Sequence, residues 1–216
     1  LTLPQLKVLA SVMRVDGVDN GPESAAWGPG FAFRRRLDGG YTIANGAPNI
    51  ADIVPDSFRF LGAFLPLLRI ERSGVRLRLG RRFLEELSWP SRWNADCVTP
   101  FEATRVLDPK PVVHLLNSAL RCLGEIFPAF KNAIVRQRWA GLIDAMPDAI
   151  PVISGVDRLP GFFIATGFSG HGFGIGPAAG RLMADIVTNA QPLVDPTPFR
   201  FSRFSDGSPI TPMTGL

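Results

Sequence analysis

Apolar and polar residues alternate from Gln5 to Val18, around Leu6, Val8, Val12 and Val15, and this alternation predicts a strand. Residues 23–27 read as a loop. Phe31-Ala32-Phe33-Arg34 and Tyr41-Thr42-Ile43-Ala44 flank Asp38-Gly39-Gly40, the pattern of a β-hairpin. From Asp56 to Ile70 the apolar positions 58, 61, 64, 65 and 68 follow helical spacing, with Pro66 expected to bend or divide the helix. Either Val75 to Leu79 forms a strand or Gly80 to Glu86 begins a helix, and the pattern leaves both readings open; residues 89–99 read as a loop. Val112, Val113, Leu115, Leu116, Ala119, Leu120 and Leu123 form one stripe of a helix expected over 108–127, ended by Pro128. Ile134 to Gly141 reads as a strand.

The last third has a different texture. After a turn at Pro147-Asp148 come a short strand at 150–153 and a continuous apolar run, Gly161 to Thr166, which predicts a strand buried on both faces. A loop with glycines at 167, 170, 172, 174 and 176 follows. A helix is expected from Pro177 to Val187, with the proline in its first turn. No internal repeat or low-complexity tract is present.

Composition narrows the function classes. With 46% hydrophobic and 19% charged residues over 216 positions, the chain can bury a core and is sized for one large or two small domains. The net charge is +4, gathered in the first half at Arg34, Arg35, Arg36, Arg69, Arg72, Arg76, Arg78, Arg81 and Arg82. Arginines at 72, 76, 78 and 81 interleave with leucine and valine as on the solvated side of an element. With one tyrosine and no aromatic–basic repeat, a solvated face or an anionic partner fits better than nucleic acid, which is not expected as a partner. Cys97 and Cys122 are too few for a disulfide framework or a four-cysteine zinc site, and His114 and His171 too few for a histidine-rich metal site. No metal is expected. The least polar stretch, 159–180, is broken by Pro160, Pro177 and glycines, so no transmembrane segment is expected. A soluble, cytoplasmic protein is the expectation, and a start at Leu-Thr-Leu-Pro reads as the interior of a longer polypeptide.

Strand, glycine-rich loop, helix is an anion-holding order of elements. Unpaired N–H groups and the helix dipole point at a ligand, and glycine lets backbone approach it. The spacing matches neither a Walker loop nor a complete dinucleotide fingerprint, since Ile175 stands where the last glycine is required. A tight strand–helix corner without a ligand is the other reading of these residues.

The run Leu159-Pro160-Gly161-Phe162-Phe163-Ile164-Ala165-Thr166-Gly167-Phe168-Ser169-Gly170-His171-Gly172-Phe173-Gly174 resembles the C-terminal signature of the D-amino acid oxidase superfamily, which includes glycine oxidase, sarcosine oxidase and opine-oxidizing dehydrogenases. Trp139 to Asp144 with Pro147-Asp148 resembles the strand and turn before that signature. Pro177-Ala178-Ala179-Gly180 with Ala184-Asp185 resembles its terminal helix, and Phe199-Arg200 with Arg203-Phe204 its tail. Asp38-Gly39-Gly40-Tyr41 is similar to part of the family's substrate domain.

The resemblance implies an α+β fold. A substrate-binding domain of mostly antiparallel sheet with flanking helices would span 1–138. Residues 139–216 would add a strand–loop–helix to an FAD-binding α/β domain, whose ADP-holding segment would come from an N-terminal fragment or subunit. It also implies flavin contact by Gly170, His171, Gly172, Phe173, Gly174 and Ile175, and hydride transfer from an amine or amino acid to FAD. Ile143 occupies the position of the family's carboxylate-clamping arginine, and Gly141 that of a flavin-linking cysteine. FAD is therefore expected to be non-covalent, and a substrate carboxylate to meet Arg34 or Arg35, beside Tyr41. Each arginine also reads as part of an exposed basic strand, Tyr41 as a core or hairpin aromatic, His171 as a turn cap, and Asp144, which could face the amine, as a turn-capping carboxylate. No general base stands out. A non-catalytic subunit that keeps the fold without flavin chemistry is the alternative function.

Overall fold

The structure is a computed structural model and describes residues 1–70, 73–90 and 92–213. Arg72 of the basic run and position 91 of the expected 89–99 loop lie outside the described residues. In chain order the elements are β1 Leu6–Asp16, β2 Ala26–Gly28, β3 Phe31–Arg35, β4 Tyr41–Ala44, β5 Asn49–Asp52, α1 Pro55–Arg59, α2 Leu61–Ile70, β6 Val75–Arg78, α3 Arg81–Leu87 and α4 Pro100–Ala103. Then follow α5 Val113–Ile126, β7 Ile134–Ala145, β8 Val152–Gly155, β9 Phe163–Thr166 and α6 Gly172–Val187. The mixture of sheet and helices is the α+β class expected. Two compact units divide the chain: unit 1 is Leu1–Lys7, Pro55–Arg72 and Ile143–Leu216, and unit 2 is Val8–Val54 and Ser73–Leu142.

Unit 2 carries a seven-stranded sheet ordered β2-β3-β4-β1-β5-β6, with β7 also paired to β1. Its pairings are antiparallel from β2 to β5, and β5 to β6 is parallel. The β3–β4 hairpin forms where expected, with Arg35 opposite Tyr41. Gly39 takes φ +86°, a left-handed conformation that glycine adopts without strain, and the Asp38 carboxylate accepts the Gly40 N–H at 3.2 Å. Alternation puts Phe31, Phe33, Tyr41, Ile43, Met13 and Val15 on one side, where α5 covers them with Leu116, Ala119 and Leu123. Phe130 closes the cluster, with its ring centroid 4.9 Å from that of Tyr41.

Unit 1 has a two-stranded antiparallel sheet, β8 against β9, with α6 packed on it through Ala179 and Leu182 against Ile153.

Several expectations change. Ala26 and Trp27, within the 23–27 stretch read as loop, pair with β3 as part of β2, and β5 and α4 were too short to stand out. The expected helix over 56–70 divides at Phe60 rather than at Pro66: the Phe60 carbonyl accepts N–H groups from Ala63 and Phe64, so the helix restarts at Leu61. Both readings of 75–86 hold, as β6 followed by α3. The helix expected from 108 starts at Val113, since Pro109 and Pro111 interrupt the segment before it. The 161–166 run is not buried on both faces. Its only partner among the described residues is β8, and Phe162 and Phe163 are 48% and 37% exposed. Finally, α6 begins at Gly172, so Pro177 lies inside it rather than in its first turn.

Candidate functional site

The chemistry expected of the glycine-rich loop depends on where α6 starts. Three residues of the loop, Gly167 (φ +75°), Ser169 (+49°) and Gly170 (+86°), are left-handed, and this turns the chain back on itself. The His171 N–H then bonds the Phe168 carbonyl at 2.8 Å, and the His171 carbonyl accepts the N–H groups of Gly174 and Ile175. Helical geometry therefore begins at Gly172, despite the low helix propensity of its glycines. The N–H groups of Gly172 and Phe173 find no acceptor among the described residues, and the first turn carries no acidic side chain. No protein atom would come within 4 Å of a β-carbon built on Gly174, so this face of the helix start is open. Phe173 is fully exposed.

Polar contacts from β7 hold the loop. The Asp144 carboxylate accepts the Gly167 N–H at 2.8 Å and the Gln5 amide at 3.1 Å, and the Asp144 carbonyl accepts the Ser169 N–H at 3.0 Å. Ser169, 1% exposed, accepts the Met146 N–H at 3.1 Å and donates to the Gly167 carbonyl at 3.3 Å. Three hydrogen bonds thus stabilise a left-handed serine that would cost about 1–2 kcal/mol unaided. A second clamp fixes the turn after β7. Arg203 donates Nε and Nη2 to the Asp148 carboxylate at 2.8 and 3.2 Å, with both side chains buried, and Nη2 also reaches the Ile150 carbonyl at 2.7 Å. Between this turn, the tail and the helix start lies an apolar cleft of about 380 Å³, with His171, Ile175, Ala149, Ile150, Phe199 and Met213 among its walls.

Of the residues singled out from sequence, Gly170, His171, Gly172, Phe173, Gly174, Ile175 and Ile143 fall together in unit 1. The Ile143 side chain lies against the loop, its Cδ1 3.7 Å from where a β-carbon on Gly170 would sit. Arg34, Arg35 and Tyr41 belong to unit 2. Arg34 is exposed opposite Thr42, with no ion pair among the described residues, and Arg35 pairs with Glu23 at 2.9 Å. Tyr41 is a core residue, 1% exposed, and its hydroxyl donates to the Pro22 carbonyl at 2.8 Å. The Asp148–Arg203 pair and the brace from Gln5 escaped sequence reasoning, because 55 and 139 residues separate the partners and nothing local marks them.

An uncovered helix N-terminus with side-chain-free positions beside an apolar cleft suits a flat, electron-rich ring with an apolar body. The family model described as DAO, FAD dependent oxidoreductase, matches residues 19–186. Glycine oxidase of Pseudomonas putida is 33% identical over 92 residues, 43% of this chain and 25% of that protein. L-amino acid deaminase from Proteus vulgaris superposes with a TM-score of 0.88 at 32% identity, covering 94% of this chain and 47% of that one. The deaminase of Proteus myxofaciens in complex with anthranilate gives 0.89 at 32%, covering 95% and 46%. The chain thus spans about half of these solved structures, and its match to the oxidase a quarter of that protein.

Proposed function

The chain belongs to the DAO family of FAD dependent oxidoreductases, and on that premise we propose that it forms the substrate domain and the flavin-ring side of an enzyme oxidising the C–N bond of an amino acid or secondary amine. The observation that carries this reading is the start of α6, with unpaired N–H groups at Gly172 and Phe173 and open space at Gly174. When bound, FAD supplies the acceptor for the hydride that leaves the substrate α-carbon as its C–N bond becomes an imine, which water then hydrolyses. The residues assigned to hold it are Gly170, His171, Gly172, Phe173, Gly174 and Ile175. The unpaired N–H groups of Gly172 and Phe173 and the helix dipole place positive potential where reduction puts negative charge. The absence of a β-carbon at Gly174 lets the ring approach the backbone.

Gly141, where the resemblance would put a linking cysteine, supports non-covalent attachment. The ADP half is assigned to an N-terminal segment or subunit outside residues 1–216, and the two-domain division near 138 follows from the same reading. Ile143 presents an apolar wall beside Gly170. A buried carboxylate set against it without a cation would cost several kcal/mol. The substrate is therefore oriented by an apolar or N-linked substituent, as in an N-substituted amino acid, with its carboxylate away from Ile143; Arg34 and Arg35 stay candidates for a carboxylate from the resemblance alone. Family relatives that take glycine or sarcosine are the useful contrast.

The test is anaerobic bleaching of the flavin spectrum in the FAD-loaded protein by glycine, D-alanine, sarcosine, proline, an apolar L-amino acid and an opine. Bleaching by the bulkier amines in the wild type, with loss of flavin and no change in far-UV circular dichroism in Gly174→Val, is expected. Wild-type reduction in Gly174→Val would remove α6 from the site. Glycine or D-alanine as the best substrate, with Arg34 and Arg35 replaceable by alanine, would overturn the reading of position 143.

A further inference from the structure

Asp144 is the residue after Ile143, and its two oxygen functions grip the loop at successive left-handed positions. The carboxylate takes the Gly167 N–H at 2.8 Å, and the main-chain carbonyl takes the Ser169 N–H at 3.0 Å. Gln5 braces the same carboxylate oxygen that holds Gly167: its amide Nε2 lies 3.1 Å from Asp144 Oδ2 and 3.2 Å from Thr166 Oγ1. Gly167 packs close to Met146, since a β-carbon built there would strike the Met146 side chain, and Met146 is itself tied by its N–H to Ser169. The grip fixes the direction in which the chain enters the His171 turn, and hence the direction of the first unpaired N–H groups of α6.

We propose that Asp144 is a positioning residue for the flavin site: it acts through Gly167 to set the loop, and through the loop it aims the N–H groups of Gly172 and Phe173. This rests on the reading that α6 meets the flavin. It assigns the carboxylate a role in electron affinity rather than in substrate contact. A charge-assisted acceptor holding one N–H is worth enough to change the population of the correctly aimed loop about tenfold.

The experiment compares Asp144→Ala, Asp144→Asn, Gln5→Ala and Gly174→Val in the FAD-loaded protein, with amide hydrogen exchange, FAD dissociation constant and flavin midpoint potential as readouts. In Asp144→Ala the Gly167 amide is expected to exchange about tenfold faster, FAD to bind about tenfold more weakly and the potential to fall. The Ser169 amide, held by a main-chain carbonyl, should change less. Asp144→Asn, whose neutral amide oxygen can still accept from Gly167, should recover part of the loss. Wild-type exchange and potential in Asp144→Ala, while Gly174→Val loses flavin, would overturn the positioning role alone. Asn faring no better than Ala would overturn it too. Flavin unaffected in Gly174→Val as well would instead overturn the assignment of α6. If Asp144→Ala does not fold, Gln5→Ala, which removes the brace, decides: a wild-type potential and Gly167 exchange rate in it would overturn the proposal.

Discussion

In unit 2 an aromatic cluster of Phe33, Tyr41, Phe127 and Phe130 closes over Met13, Leu116 and Leu123, while in unit 1 the contacts that shape the loop and its neighbouring turn are polar: Asp148 with Arg203, Asp144 with Gly167, Ser169 with Met146. Both units contain a glycine-dependent reversal. The hairpin of unit 2 is satisfied within five residues, since the Arg36 N–H bonds the Gly40 carbonyl, the Gly39 N–H bonds the Arg36 carbonyl and Asp38 caps Gly40. The loop of unit 1 draws on Asp144, Met146 and Gln5, all far away in sequence. Apolar burial is non-directional and tolerates small shifts, whereas a hydrogen-bonded grip fixes backbone direction. A region whose N–H groups must aim at a ligand gains from the second kind of restraint. In keeping with this, Phe162, Phe163 and Phe173 stay exposed near the loop of unit 1 while the aromatic rings of the unit 2 cluster are covered.

Four measurements would break or sharpen that contrast. The largest effect is expected from Phe130→Ala, about 4 kcal/mol lost in urea unfolding, because it opens a cavity beside Tyr41 and Leu123. A cost below about 1 kcal/mol would mean that the unit 2 core is loosely packed. Arg203→Ala should cost about 3 kcal/mol by leaving the Asp148 carboxylate buried without its cation. The double variant Asp148→Ala/Arg203→Ala should be milder than Arg203→Ala, and if it is not, the pair is not what holds the turn.

The two reversals can be compared directly through their glycines. Gly39→Ala meets no neighbour within 4 Å, so only its left-handed strain of about 1 kcal/mol should appear. Gly167→Ala adds a collision with Met146 to the same strain and should cost about 3 kcal/mol. Equal costs, measured by the same unfolding assay, would place the two turns on one footing.

The smallest effect concerns acid. Burial works to raise the Asp38 carboxyl, but the Gly40 N–H, Arg36 and Arg14 together hold it below its ordinary 3.8. A carboxyl lowered in the folded state contributes stability above its unfolded value, and that contribution is lost as pH falls through the folded value. Asp38→Asn should therefore flatten the stability profile slightly below about pH 4 and leave it unchanged in shape at neutral pH. A profile that keeps its full acid slope in Asp38→Asn would remove Asp38 from the hairpin's support.

What the sequence determined by itself was whatever a few neighbouring residues satisfy among themselves. Asp38-Gly39-Gly40 specifies the hairpin, the stripe from Leu116 to Leu123 specifies the buried face of α5, and the glycines from 167 to 176, with the run that resembles the family's signature, mark the place of the candidate site. Tertiary structure decided the rest, since its partners are distant. The length of α6 follows from the left-handed turn that Asp144 and Met146 hold in place, not from helix propensity, which counts against glycine. Tyr41 became a core residue because Phe130 packs on it, and Ile143 came to face Gly170 because β7 runs beside the loop. Local pattern carries the energy of bonds made within a turn or a stripe; bonds made across 23 to 139 residues, such as Asp144 to Gly167 and Gln5 to Asp144, leave no trace in it until the chain has folded.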